Sequence, residues 1–202
     1  MSGTSQNRRG DSTHSRLVKT AERLFAEKGV STVSVRAVNA AAGLGAASVH
    51  YHFGSKEQLL RAVALDLGAA VAAAIHTNVD ALAADPHPPT VDAVVRAVTG
   101  PYRDLLHRQR IRGMRWIKII AQTSQAGPID DVVDSPLREA LLAQVRRAAP
   151  DADPARLELR WAVSIMAFFQ GLGRADEWAG DGTRLSPDAL DRFYEDLVRF
   201  VV

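Results

Sequence analysis

The chain has 202 residues, no cysteine and a net charge of only +2. That length can bury a core as one large or two small domains, and the absence of thiols excludes both a disulfide framework and a thiolate metal site. The opening MSGTSQNRRGDSTHSR is polar and the longest small-apolar run, AAVAAAI at 69–75, is far shorter than the roughly 18 residues of a membrane span, so a soluble, cytoplasmic protein with no membrane partner is expected.

Charge is uneven along the chain. Residues 1–56 carry eight Lys and Arg against three acids, leaving +5, whereas the rest carries 17 against 20, leaving −3. A basic head on a mildly acidic body suits a phosphate-contacting domain joined to one with another task, and a solvated surface would look the same.

Taken in chain order, residues 1–11 are expected to be a mobile arm carrying Arg8 and Arg9. A first helix over 12–28 places Leu17, Ala21, Leu24 and Phe25 on one stripe and stops at Gly29. Ser34 can cap a second, short helix with Val35, Val38 and Ala41 or Ala42 on one face, ended by Gly43. After the Gly43-Leu44-Gly45 turn, Ala46 to His52 restart a helix whose inner face is Val49 with Phe53. Ala46, Ala47, Ser48, His50 and Tyr51 then point away from that face. The two alanines allow close approach to a duplex and can meet a thymine methyl, and Ser48, His50 and Tyr51 carry groups able to reach base edges or phosphates. Two short helices and a glycine-containing turn make a helix-turn-helix the economical reading, with double-stranded DNA as the partner.

Ser55 and Gln58 have capping-box spacing, and Leu59, Val63, Leu67, Ala70, Val71 and Ala74 form the stripe of a long helix over 56–84. Its first residues belong to the head (1–56) and its later turns to the body (57–202), so it links the two. The helix N-terminus, with Lys56 beside it, offers a phosphate site. DPHPP at 85–89 is a loop, and Thr90 caps a helix to about 109 with Val91, Val94, Val95, Val98, Tyr102 and Leu105 inward. Pro101 should kink or divide it. Further helices are expected at 110–125, closed by a Gly127-Pro128 turn, and at 135–148, 154–179 and 187–201, the last two opening with proline after Asp153 and Ser186. The fold class is all-α with about nine helices; no strand pattern competes and no repeat is present.

The residues Gly29, SVRAV at 34–38, AAGL at 41–44 and YHFGSKEQLL at 51–60 resemble the tetracycline-repressor (TetR) family of transcriptional regulators over roughly residues 13–60. The resemblance implies that Ala46–His52 is the recognition helix, that Ser34 and His52 lie near backbone phosphates, and that Lys56 touches phosphate; Arg36 joins these DNA-binding candidates. Gly45 stands where the family usually has serine or asparagine, and His50 where many members have tyrosine, which leaves the operator open.

The helix over 154–179 and the final helix carry more apolar side chains than one small core requires. The resemblance implies that they pair with the same helices of a second subunit, giving a homodimer suited to a palindromic operator. The interface candidates are Trp161, Phe169, Leu172, Phe193, Tyr194 and Leu197. It also implies a ligand pocket between the linking helix and helices five, seven and eight, with Val71, Val98, Tyr102, Trp116, Ile120 and Phe168 as candidates for a small apolar or aromatic effector. The run Arg103, His107, Arg108, Arg110, Arg112, Arg115 and Lys118, opposed only by Asp104 in its own stretch, would attract an anion or simply be a solvated face.

A ligand-responsive regulator is therefore expected, most simply a repressor released by its effector, with a helical interaction protein or an activator of the same fold as the alternative. An enzyme has poor ingredients. His50 and His52 fall about 200° apart around a helix, unlike a zinc-binding i, i+4 pair. HExxH and G-x-S-x-G are absent, and Gly54-Ser55-Lys56 lacks the lead-in of a phosphate loop. No catalytic residue, metal or cofactor is assigned.

Overall fold

Ser34, Ser55, Thr90, Asp153 and Ser186 each mark a helix start in the sequence, and the helices begin beside them in the computed structural model, which describes residues 3–123, 135–178 and 186–202. Among the described residues there are ten helices and no strand: α1 Gly3–Lys28, α2 Val35–Ala41, α3 Ser48–Phe53, α4 Lys56–Ala84, α5 Val91–Arg108, α6 Arg110–Thr123, α7 Ser135–Ala148, α8 Pro154–Leu172, α9 Ala175–Trp178 and α10 Pro187–Val201. The hydroxyl or carboxylate oxygens of Ser34, Ser55, Thr90, Asp153 and Ser186 accept the N–H three residues on. Each satisfies a donor that the first helical turn leaves without a partner.

Helix α1 starts at Gly3, so the stretch expected to be a mobile arm continues the helix instead. No proline interrupts that stretch, and extending an existing helix requires no new nucleus. At the other end, the helix expected over 154–179 stops at Leu172, with Gly173 as its cap, and α9 is a separate short turn. The expected Gly127-Pro128 turn lies outside the described residues.

The chain divides into two compact units, the first ending at Leu67 and the second starting at Gly68. The boundary lies past residue 56 because the opening turns of α4 bury Leu59, Val63 and Leu67 within the first unit. Leu17, Val18, Ala21, Leu24 and Phe25 of α1, with Val33, Val38, Ala42 and Val49, complete the core of that unit. Helix α4 is long and apolar enough to cross a membrane by length and composition, with a mean hydropathy of 1.6 over its most apolar window. Leucine, valine and isoleucine contribute most of that value, and a stripe of Val71, Ile75 and Val79 is buried along the later turns.

In the second unit α5 packs against α6, α7 and α10, and α8 packs against α6, α7 and α10. Pro101 lies inside α5 without dividing it. Proline has no N–H for the carbonyl four residues back, which is Ala97. Asn78 of α4 donates its side-chain amide to that carbonyl at 3.0 Å, so the freed acceptor is satisfied and the helix continues. Helices α8 and α10 approach closely at Gly171, where a Cβ would sit 2.7 Å from Leu197 Cδ2. Arg96 of α5 makes a two-pronged ion pair with Glu195 of α10 at 2.8 and 2.7 Å and also bonds Asp92. That guanidinium holds the Glu195 carboxyl below its ordinary value. Thr99 Oγ1 donates to Val95 O at 2.8 Å, so the Tyr194 hydroxyl, 2.9 Å away, is the donor in the bond between them.

Candidate nucleic-acid interface

The turn between α2 and α3 depends on one glycine and one amide. Gly43 has φ +62°, a left-handed conformation that glycine adopts without the Cβ penalty of other residues. Gly45 has no positive φ, and a Cβ there would meet only Ser48 Oγ at 4.0 Å. Asn39, on the buried side of α2, bridges into the next helix: its Nδ2 donates to Ala46 O at 2.6 Å, and its Oδ1 accepts from Val49 N at 3.1 Å. Both ends of this amide are satisfied in a dry site, so it fixes where α3 begins. The sequence reading missed Asn39. The available signal was a polar residue on the apolar stripe of α2, between Val35, Val38 and Ala42.

Helix α3 begins at Ser48, two residues later than expected, so Ala46 and Ala47 lie in the turn that leads into it. Val49 is buried, while Ala46, Ala47, His50 and Tyr51 are exposed and Ser48 is half-buried. Tyr51, at 85% exposure, is the most exposed of the large apolar and aromatic side chains among the described residues. His50 Nδ1 lies 2.8 Å from Gly54 O. A carbonyl has no proton to give, so Nδ1 carries the hydrogen, and Nε2 is left without a partner among the described residues. His52 is half-buried, its ring 5.1 Å from Tyr51 and 6.4 Å from His14 of α1.

Ser34 Oγ accepts from Ala37 N at 3.2 Å, which uses a lone pair and leaves its proton available. Arg36 is exposed. Lys56 Nζ donates to Ser31 O at 3.3 Å, which holds the ammonium beside the loop before α2. At the start of α4 the backbone donors are largely used. Ser55 takes Gln58 N, and the Glu57 carboxyl is held below its ordinary value chiefly by its own backbone N–H, then by Ser55 and Lys56. The cation at this end is therefore Lys56 rather than a set of open amides.

The six residues expected to line a ligand pocket are all buried. Tyr102 stacks on Trp116 at 5.9 Å and meets Phe169 edge-on at 4.8 Å; Phe168 touches Phe169 at 5.7 Å and Tyr194 at 6.0 Å. Val71, Val98 and Ile120 are core residues as well. None of the six lines the cleft of about 120 Å³ bordered by α5, α7, α8 and the end of α10, whose walls include Val94, Val145, Ala148, Leu157, Trp161 and Val201.

The interface candidates also separate. Phe169, Leu172 and Tyr194 are buried in the unit's own core. Trp161, Phe193 and Leu197 are half-buried. On α8 a second apolar stripe, Leu159, Val163 and Met166, is exposed, as is Phe200 on α10. Its i, i+4, i+7 spacing is legible in the sequence, but two apolar stripes on one helix have the same period and do not say which one the chain keeps for itself. Two members of the cationic run meet acids distant in sequence, His107 with Asp191 at 2.8 Å and Lys118 with Asp176 at 2.7 Å, while Arg103 bonds Asp104 and lies over the Tyr194 ring.

A basic unit in which two short helices meet at a glycine turn, the second with an exposed face, joined to a helical body, defines a DNA-binding transcriptional regulator of the helix-turn-helix class. Residues 17–63 match the family described as bacterial regulatory proteins, tetR family, and residues 96–202 match the tetracyclin repressor-like C-terminal domain. The second match alone spans more than half of the chain, and the chain belongs to the TetR family of transcriptional regulators, which are not enzymes.

Similar solved structures include PfmR, a TetR family regulator from Thermus thermophilus, at 22% identity over 91% of this chain and 97% of that one, with a TM-score of 0.52. NalD, the secondary repressor of the MexAB-OprM multidrug efflux pump in Pseudomonas aeruginosa, is 20% identical over 95% and 96%, with a TM-score of 0.52. A TetR-like regulator from Rhodococcus sp. RHA1 is 18% identical over 93% of each chain, with a TM-score of 0.54. These likenesses are of fold. Among curated proteins none matches the sequence.

Proposed function

We propose that this regulator is a repressor that binds an inverted-repeat operator as a homodimer in the cytoplasm and leaves it when a small apolar or aromatic effector occupies the body. The observation that carries the reading is the exposed Ala46, Ala47, His50 and Tyr51, with the half-buried Ser48 among them, at and before α3, on a head of net charge +5. Ser48, His50 and Tyr51 read base edges in the major groove, while the two alanines permit close approach. Ser34, Arg36, His52 and Lys56 meet phosphates, which sets register and supplies most of the salt-dependent affinity.

The second copy is supported by the exposed Leu159, Val163, Met166 and Phe200 beside the half-buried Trp161, Phe193 and Leu197. A two-fold pair places its reading helices about 34 Å apart, one turn of duplex. The effector site is the cleft bordered by α5, α7, α8 and the end of α10, a reading supported by its apolar lining with Arg160 and Ser164 on it. Helix α4 belongs to both units, so an effector that prefers one body conformation shifts the heads by its differential affinity for the two states.

Selection of bound sites from random DNA, followed by gel shifts at several salt concentrations, tests this. An inverted repeat with steep salt dependence is expected, and a reporter fused to the recovered site should fall in output when the protein is present. Absence of any salt-sensitive sequence preference would refute DNA reading by α3, and DNA-dependent stimulation would refute repression.

A further inference from the structure

We infer that the effector is a small carboxylate with an apolar body, anchored by Arg160, and that its binding is passed to α4 through Arg147. This rests on the reading of the cleft between α5, α7 and α8 as the effector site.

The size and walls of the cleft set the body of the ligand. A volume of about 120 Å³ lined by valine, alanine, leucine and Trp161 is comparable with the roughly 150 Å³ apolar hole that accepts benzene. One ring, or an aliphatic chain of similar bulk, fills it. The head group follows from the two polar side chains on the lining, Arg160 and Ser164. They are four residues apart on α8 and therefore on one face. Among the described residues neither makes a hydrogen bond or ion pair, and no Asp or Glu side chain lines the cleft. A guanidinium presents paired donors that match a carboxylate, and a neighbouring hydroxyl can add a third. A neutral ligand of the same shape would leave that match unused.

The route to α4 is a set of bonds at the end of α7. Ala148 and Ala149 line the cleft. The adjacent Arg147 donates to Leu82 O at 3.0 Å, Asp85 O at 2.7 Å and His87 O at 3.0 Å. Those carbonyls lie at and just beyond the C-terminal end of α4, where a helix has acceptors without partners of its own. The last turn of α7 thus borders the ligand space on one side and holds the end of α4 on the other. A ligand seated against Ala148 and Ala149 favours one position of that turn, and the three bonds give α4 the same preference.

The full chain should be titrated by calorimetry with benzoate, with benzamide as the neutral analogue and acetate as the charge without the body. Benzoate should bind saturably, and benzamide and acetate about tenfold or more weakly. Arg160→Gln should weaken benzoate by about tenfold, Ala149→Leu should block it by filling the space, and Arg156→Gln, outside the cleft, should not affect it. Benzoate should release selected operator DNA from the unmodified protein, and Arg147→Gln should still bind benzoate but no longer release DNA. No benzoate binding, equal binding of benzamide, or an unweakened Arg160→Gln overturns the carboxylate assignment. Unchanged binding by Ala149→Leu overturns the location, and release by Arg147→Gln overturns the coupling. Binding with all these dependences but no effect on bound DNA would leave the ligand site standing and refute effector release itself.

Discussion

Asn39 and Val49 are joined across the turn of the helix-turn-helix by a bond of 3.1 Å from the Val49 amide to the Asn39 side-chain oxygen. Val49 is fully buried, so without that acceptor its N–H would have neither water nor protein to bond. Asn39→Ala should destabilise the head by about 2 kcal/mol, the cost of an unsatisfied buried donor plus a lost bond. It should weaken operator binding although Asn39 touches no base. Asn39→Asp keeps the acceptor but loses the donor to Ala46 O, and so should differ from alanine in extent. Urea unfolding with parallel gel shifts measures both; unaltered stability and affinity in Asn39→Ala would remove the amide from its positioning role.

The two glycines of the turn should respond differently. Gly43→Ala places a Cβ in a left-handed residue and should cost about 1 kcal/mol or somewhat more. Gly45→Ser has no such conflict and should be close to neutral. Thermal melting of the two variants side by side decides it, and equal losses would contradict the difference in backbone conformation.

Phosphate and base contacts separate by salt. Lys56→Ala should weaken all sequences nearly alike and lower the salt slope by about 1, while His50→Phe should change base preference at one operator position by about 1–3 kcal/mol. With its hydrogen held on Nδ1 by Gly54, neutral His50 offers Nε2 as an acceptor, which suits the amino group of cytosine or adenine. Site selection repeated on each variant reads the outcome, and a change in base preference without a change in salt slope for Lys56→Ala would refute its assignment.

Association should depend on the exposed stripe of α8. Val163→Asp places a charge in the middle of Leu159, Val163 and Met166, where burial against a second copy would require a partner for it. Sedimentation should show wild-type dimers and variant monomers with unchanged helix content. Variant dimers of undiminished affinity would locate the interface elsewhere.

Acid should loosen the α5–α10 contact in a defined direction. Arg96 holds Glu195 below its ordinary value of 4.5, so the pair contributes fully above that value and its contribution is lost as pH falls through the lower folded value. Both groups are about a third exposed, so solvent screening limits the effect to about 1 kcal/mol. Glu195→Gln should lower stability at neutral pH and flatten its decline in acid, as thermal melting against pH would show. A parallel decline in both proteins would mean that other carboxylates dominate.

The starts of α2, α4, α5, α8 and α10 and the family were legible in the sequence because they depend on local chemistry: capping side chains, glycine at a left-handed position, and apolar spacing within a few residues. Tertiary structure alone decided which apolar residues the chain keeps. On α8, Phe169 and Leu172 share the helical period of Leu159, Val163 and Met166, and only packing assigns the first pair to the core and the second set to the surface. It also decided where the charges find partners, since Asp191 and Asp176 reach His107 and Lys118 from distant helices. The same holds for Asn39 bridging to Val49 and Asn78 bonding the carbonyl that Pro101 leaves open. Such bonds join residues whose separation in space is set by folding and not by their separation along the chain.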